Sequence, residues 1–335
     1  MGLLEKTVCW GSGEYLWARD YWNKAMKSFW THEEISLVSD VNDWKLNTTE
    51  NERYVISSIL KTFTQSELYV ADYWTQKVNK WFQKPEINQV GLAFGAFESI
   101  HVRSYSYLNE SLGLEHEFSE FLLIPEFKSK IDRLVEFEGL GWESESGDSQ
   151  DLVRDIALSL AVFSGFTEGV SLFSSFAVLA SFKMRNLFKG MGNIVEYSIR
   201  DEDFHSDFGI ALFNTLVNEN PEVWDDNLKK QIYQAARDTV ALEDHAIDLI
   251  FKHGDLPNIT AHDLKIYIRY RANDRLQKMK LKKNWKNLDK GVLERMAWFE
   301  TFATGIRQSD FFAGRETNYA RVEFDSESLW KGYVK

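Results

Sequence analysis

The chain is poor in cysteine, proline and net positive charge, and each shortage narrows what it can be. Its one cysteine, Cys9, leaves no partner for a disulfide within the chain and none for a cysteine-built metal site. Such thiol economy fits a reducing, cytoplasmic compartment. Only 4 of 335 residues are proline, so long helices can run uninterrupted. A net charge of −12 argues against nucleic acid as the main partner, since binding a phosphate backbone needs a basic surface. It equally disfavours an anionic membrane surface. No glycine-rich phosphate loop occurs. The opening MGLLEKTVCWGSGEYLW lacks a basic segment followed by an apolar one, so no signal peptide is expected.

What is present is apolar and aromatic. Hydrophobic residues make up 44% of the chain and aromatics 15%, enough for a substantial core. Residues 157–182 (ALSLAVFSGFTEGVSLFSSFAVLASF) are long enough to span a bilayer and carry one ionisable residue, Glu168. A carboxylate in the middle, with frequent Ser, Thr and Gly, fits a buried helix of a soluble bundle better. Such an acid needs a function, because an uncompensated buried carboxylate is costly.

Apolar periodicity and stop signals give an all-α chain without a convincing domain boundary. The first 45 residues read as irregular, with short helical pieces. Thr49 and Glu52 form a capping box opening a helix over 49–82. Pro85 opens a second, over 85–112. Further helices are expected over 118–137, 150–182, 184–218, 221–254, 261–281 and 291–304, with a loop at 139–149. Residues 1–312 are read as one helical domain and 313–335 as a flexible tail.

Two Glu-x-x-His pairs, Glu98/His101 and Glu202/His205, carry the chemistry. Three residues apart on a helix, a carboxylate and an imidazole share one face, and both are good ligands for iron and manganese. With 29 Glu and 7 His, random placement already gives on the order of 0.6 such pairs, so context must decide. The context is a repeat: Glu67 precedes the first pair by 31 positions and Glu168 precedes the second by 34. Each interval fits down one helix and partly back along an antiparallel neighbour. Two such halves make a four-helix bundle around a two-metal centre, a ligand set matched here to the known pattern of ferritin-like di-iron and di-manganese carboxylate proteins.

Each ligand has a plainer reading. Glu98 follows VGLAFGAF, where a solvated face is unexpected, whereas Glu202 lies in IRDEDFH, where surface charge is a fair alternative. Glu67 competes with Asp72; five positions place the two about 140° apart on the helix, so both cannot face one site. His32, His116, His245, His253 and His262 lack the spacing and read as surface or structural.

The surrounding residues are more specific. ESIHVRSYSY from Glu98, then Glu168 in its apolar helix, then IRDEDFH, resemble the small, radical-generating subunit of class I ribonucleotide reductase. The resemblance runs from FWTHEE (29–34) to the NYARVEF tail. It implies a ferritin-like bundle with metal ligands Glu67, Glu98, His101, Glu168, Glu202 and His205. It implies two transition-metal ions per chain, an iron pair first, with a manganese pair or manganese–iron as alternatives. Tyr105, seven residues after Glu98, matches the tyrosine oxidised to a radical, with Phe176 and Leu172 as apolar shielding. Trp30 matches the start of a radical-transfer path, and Asp201 the carboxylate linking that Trp to a ligand histidine, His101. Tyr319 matches the mobile relay tyrosine, with Tyr333 as second candidate.

The resemblance further implies a homodimer whose C-terminal tail docks on a large catalytic subunit, and a flavoprotein activator if the metal is manganese. Most of the family has Asp where Glu67 stands; Glu occurs there in a manganese–iron subgroup lacking the radical tyrosine, yet this chain keeps Tyr105. A ferritin-like oxidase or monooxygenase would need the same six ligands but not Trp30, Asp201 or a tail tyrosine. An iron-storage or structural bundle would need no radical and no partner.

Overall fold

The computed structural model describes residues 2–7, 13–115, 123–125, 127–129, 132 and 149–312, apart from the side chains of 64–68, 149 and 303–312. Cys9, His116, Tyr319 and Tyr333, most of the helix expected over 118–137, and the tail 313–335 lie outside the described residues. Among the described residues there is no strand, and an isolated bridge joins Leu256 to Ile259.

Helix α1 (Leu16–Lys27) gives the N-terminal region more regular structure than its sequence pattern suggests. A short α2 follows (Val38–Asn42). Helix α3 (Glu50–Asp72) starts as its sequence indicates. The Thr49 hydroxyl accepts the Glu52 N–H at 3.2 Å, and Glu52 Oε2 accepts the Thr49 N–H at 2.8 Å. The expected single helix to residue 82 instead widens into a π-helical turn, Tyr73–Val78, before a last turn, Asn79–Trp81. Helix α4 (Pro85–Leu112) opens on its proline and stops at Gly113, whose φ of +77° suits a residue without a Cβ.

Helix α5 (Ser149–Val162) continues through a second π-helical segment, Phe163–Ser171, into α6 (Phe173–Met184). This is the one segment among the described residues long and apolar enough to cross a membrane, and 89% of its most apolar window is buried in the bundle. Helix α7 (Lys189–Glu219) begins later than its periodicity suggests. Asn186 and Phe188 adopt positive φ and break the chain there. The first amides of α7 are capped from α2 and its neighbour: Asp40 accepts the Gly190 and Met191 N–H groups, and Asp43 the Phe188 N–H.

Helices α8 (Asp226–Ile250), α9 (Ala261–Lys278) and α10 (Lys290–Phe312) complete the described chain. Helices α3, α4, α5–α6 and α7 form the central bundle. Helix α1 lies on α4, while α8 and α9 cover the π-helical segment before α6. Close approach needs small residues. A Cβ on Gly209 of α7 would overlap the Ser164 side chain, and one on Gly169 would stand 2.8 Å from Arg275 Cδ and 2.9 Å from Ser206 Oγ.

Candidate metal centre

Three neighbouring stretches of backbone deliver the polar groups at the centre of the bundle. Helix α4 presents Glu98, His101 and Tyr105 on one buried face, α7 presents Glu202 and His205, and the π-helical segment presents Glu168. These six side chains are fully buried. Single oxygens of Glu98, Glu168 and Glu202 and a nitrogen of His205 lie within 4.8 Å of one another. His101 Nδ1 is 3.1 Å from both Glu98 Oε2 and Glu202 Oε1. His205 Nδ1 is 2.7 Å from Glu98 Oε1 and 3.7 Å from Glu168 Oε1. Both imidazoles therefore aim the same nitrogen at the carboxylates.

Burial pushes the Glu98 carboxyl pKa up, but the flanking His205 and His101 outweigh it and hold the pKa well below the usual carboxylate range. Glu98 Oε1 and both ring nitrogens of His205 are buried without a hydrogen bond of good geometry. In an apolar interior such atoms call for a ligand. Mixed carboxylate and imidazole donors suit iron or manganese, and the cluster is compatible with a dinuclear site.

Around the cluster, hydrogen bonds fix the donors. Asp201 Oδ2 accepts the Trp30 indole N–H at 2.7 Å and lies 3.4 Å from His101 Nε2, the nitrogen facing away from the cluster. Arg200 Nε reaches Asp201 Oδ1 at 3.2 Å. Burial again acts to raise the Asp201 pKa, yet Arg200 and His101 keep it low. A carboxylate behind an imidazole sets its tautomer and raises its basicity. The Tyr105 hydroxyl donates to Ser198 Oγ at 3.0 Å. Phe63 packs edge-on to Tyr105, centroids 5.0 Å apart, and Phe176 packs on Phe63 at 5.1 Å. Leu172 is buried at the start of α6.

The sequence-derived residues thus divide clearly. Glu98, His101, Glu168, Glu202 and His205 converge, with Asp201 and Trp30 behind His101 and Tyr105 one turn further along α4. Glu67 falls on α3, but its side chain lies outside the described residues. Its competitor Asp72 is exposed and accepts a hydrogen bond from Gln76 at 2.8 Å, turned away from the cluster.

Sequence reasoning missed Trp74, Ser198, Arg200, Phe63 and Phe94. Trp74 donates its indole N–H to Glu168 Oε1 at 2.7 Å, and the Phe94 ring lies 4.1 Å from that of His205. Ser198, one turn before Glu202, could have been found from helical phase. Trp74 could not, because the π-helical turn that aims it inward shifts that phase.

A buried carboxylate–histidine cluster able to hold metal, inside an all-α, ferritin-like bundle, defines the class of protein. The model of the family "Ribonucleotide reductase, small chain" matches residues 7–290. The protein named probable ribonucleoside-diphosphate reductase small subunit 376L of Invertebrate iridescent virus 6 is 36% identical, covering 90% of this chain and 90% of its own. The ribonucleoside-diphosphate reductase subunit beta of Chlamydia pneumoniae is 26% identical, covering 91% and 88%. The solved ribonucleotide reductase R2 subunit from Clostridium botulinum shares the fold, with a TM-score of 0.75 at 19% identity over 90% of this chain and 99% of that one. The chain belongs to the ribonucleotide reductase small-chain family, a family of oxidoreductases.

Proposed function

We propose that this chain is the radical-generating small subunit of a class I ribonucleotide reductase. Glu67, Glu98, His101, Glu168, Glu202 and His205 would hold two transition-metal ions, an iron pair first, with manganese or manganese–iron as alternatives. The chemistry supplied by a bound pair is one-electron oxidising power drawn from oxygen, or from superoxide delivered by a partner. One electron would pass from Tyr105 to that oxidant, and the phenolic proton to the oxygen being reduced to water. Phe63, backed by Phe176, excludes water from the Tyr105 ring, and Ser198 orients its hydroxyl. The hole then passes through Trp30 and, in the tail, Tyr319 to a cysteine of a large catalytic subunit, where ribonucleotide reduction begins. The chain acts as a cytoplasmic homodimer docked through its C-terminal tail, with a flavoprotein activator where manganese is used, and without nucleic acid or membrane.

The observation that carries this reading is the chain His101–Asp201–Trp30. A metal-binding bundle alone has no use for an indole hydrogen-bonded through a buried carboxylate to a ligand imidazole. Electron paramagnetic resonance after aerobic metal loading should give a tyrosyl signal that Tyr105→Phe abolishes. A signal surviving that change refutes the role of Tyr105. Full metal loading without ribonucleotide reduction by the cognate large subunit would favour a ferritin-like oxidase or monooxygenase instead.

A further inference from the structure

We propose that Arg271, on α9 and well outside the ligand set, is a positioning residue for Glu168. The inference rests on the metal-binding part of the reading above. Glu168 differs from the other described ligands in its backbone. Glu98, His101, Glu202 and His205 stand on regular α-helices, whereas Glu168 stands inside the π-helical segment Phe163–Ser171. Where a π-helical ladder returns to α-helical spacing, carbonyls fall out of step with the amides that would receive them. Such a segment needs outside support to hold a side chain in one place.

Arg271 supplies that support at the residue next to Glu168. Its Nε and Nη2 donate to the Gly169 carbonyl at 3.2 and 3.1 Å. Its guanidinium lies 3.4 Å over the Phe173 ring, at the start of α6, so it grips the segment on both sides of its C-terminal end. The same Nη2 pairs with Asp203 Oδ1 at 2.7 Å. Asp203 directly follows Glu202 on α7. One buried guanidinium thereby ties the backbone of one ligand to the helix bearing two others. Nη2 reaches both acceptors and Nε adds a second bond to the carbonyl; lysine, with a shorter reach and a single nitrogen, loses that two-nitrogen grip on Gly169.

Arg275 is a built-in control. It pairs with the same Asp203 oxygen at 2.8 Å, and its other hydrogen bonds go to Ser206 and Asp207 rather than to the Gly169 carbonyl; its Cγ and Cδ pack on Gly169, a contact that the methylenes of lysine keep. Loss of Arg271 therefore leaves Asp203 paired, and loss of Arg275 leaves the clasp on Gly169.

The test compares Arg271→Lys with Arg275→Lys in the full chain, titrated anaerobically with Mn(II) and read by electron paramagnetic resonance, beside the melting temperature of each apo-protein. In Arg271→Lys, binding of one of the two ions should weaken about 10- to 100-fold, and the signal of the coupled pair should give way to that of a single ion. Arg275→Lys should titrate as wild type, whatever its melting temperature. Wild-type titration by Arg271→Lys overturns the proposal, as does equal weakening in both variants that tracks their loss of apo stability. A wild-type chain that binds no metal pair overturns the functional reading itself and is recognised before either variant is compared.

Discussion

Asp201→Asn is the sharpest test of how the centre is wired. Asp201 is buried, and its two oxygens receive Trp30 Nε1 at 2.7 Å, Arg200 Nε at 3.2 Å and the His101 Nε2 contact at 3.4 Å. Asparagine keeps one oxygen and replaces the other with a donor. If that oxygen stays toward Trp30 and His101, the amide N–H group faces the Arg200 guanidinium. If it turns round, two donors face a donor, which is worse. The better arrangement still loses one charge-assisted bond, about 1.5–3 kcal/mol. For a chain of this size that corresponds to roughly 2–4 °C in melting temperature.

The larger effect falls on His101. Without the negative charge behind it, the imidazole is less basic and less firmly oriented, and affinity for the ion it binds should fall about 10- to 100-fold. Calorimetry of the apo-protein measures the first quantity and anaerobic metal titration the second. A variant that melts and binds metal as wild type does would refute the reasoning, because it would mean that Asp201 carries no charge felt by His101.

Glu67→Ala should abolish loading of a metal pair, whereas Asp72→Ala, at an exposed position, should leave it intact; metal analysis after gel filtration checks both. Gly209→Ala should destabilise the bundle by about 1–3 kcal/mol or more, seen as a lower urea midpoint, because the added methyl overlaps Ser164 Cβ as well as its movable hydroxyl. Burial acts to raise the Glu52 and Glu86 pKa values, but backbone N–H donors, aided by Arg185 at Glu52 and Arg19 at Glu86, hold both below 4.5. A lowered carboxyl pKa stabilises above the unfolded value and loses that contribution as pH falls through the folded value. Asp40, whose pKa burial raises, works in the opposite direction. The apo-protein's urea midpoint should therefore decline below about pH 4.5, and Glu86→Gln should flatten that decline.

The helices that kept their expected boundaries are those whose signals are local. Thr49 with Glu52, and Pro85 with Gly113, act within a few residues of the backbone they start or stop. The boundaries that moved depend on distant partners. Asp40 and Asp43 fix where α7 begins from about 150 residues away, a distance that no local pattern registers. The π-helical segments Tyr73–Val78 and Phe163–Ser171 were invisible for a related reason: an inserted residue in a helix leaves no compositional mark, and its benefit appears only where Trp74 meets Glu168.

By itself, the sequence determined an all-α chain with acids and histidines at fixed helical intervals. Spacing along a helix sets which face a side chain occupies, and that relation is local. It left Glu67 and Asp72 in competition, because both lie on one helix and the choice of face depends on what packs against it. Tertiary structure turned Asp72 to solvent. It also brought the imidazoles of α4 and α7 into the same buried group of carboxylates. It set Trp30 and Arg271 around that group from remote parts of the chain. Those contacts span 68 to 171 residues, and their strength comes from excluding water, which only the assembled bundle does.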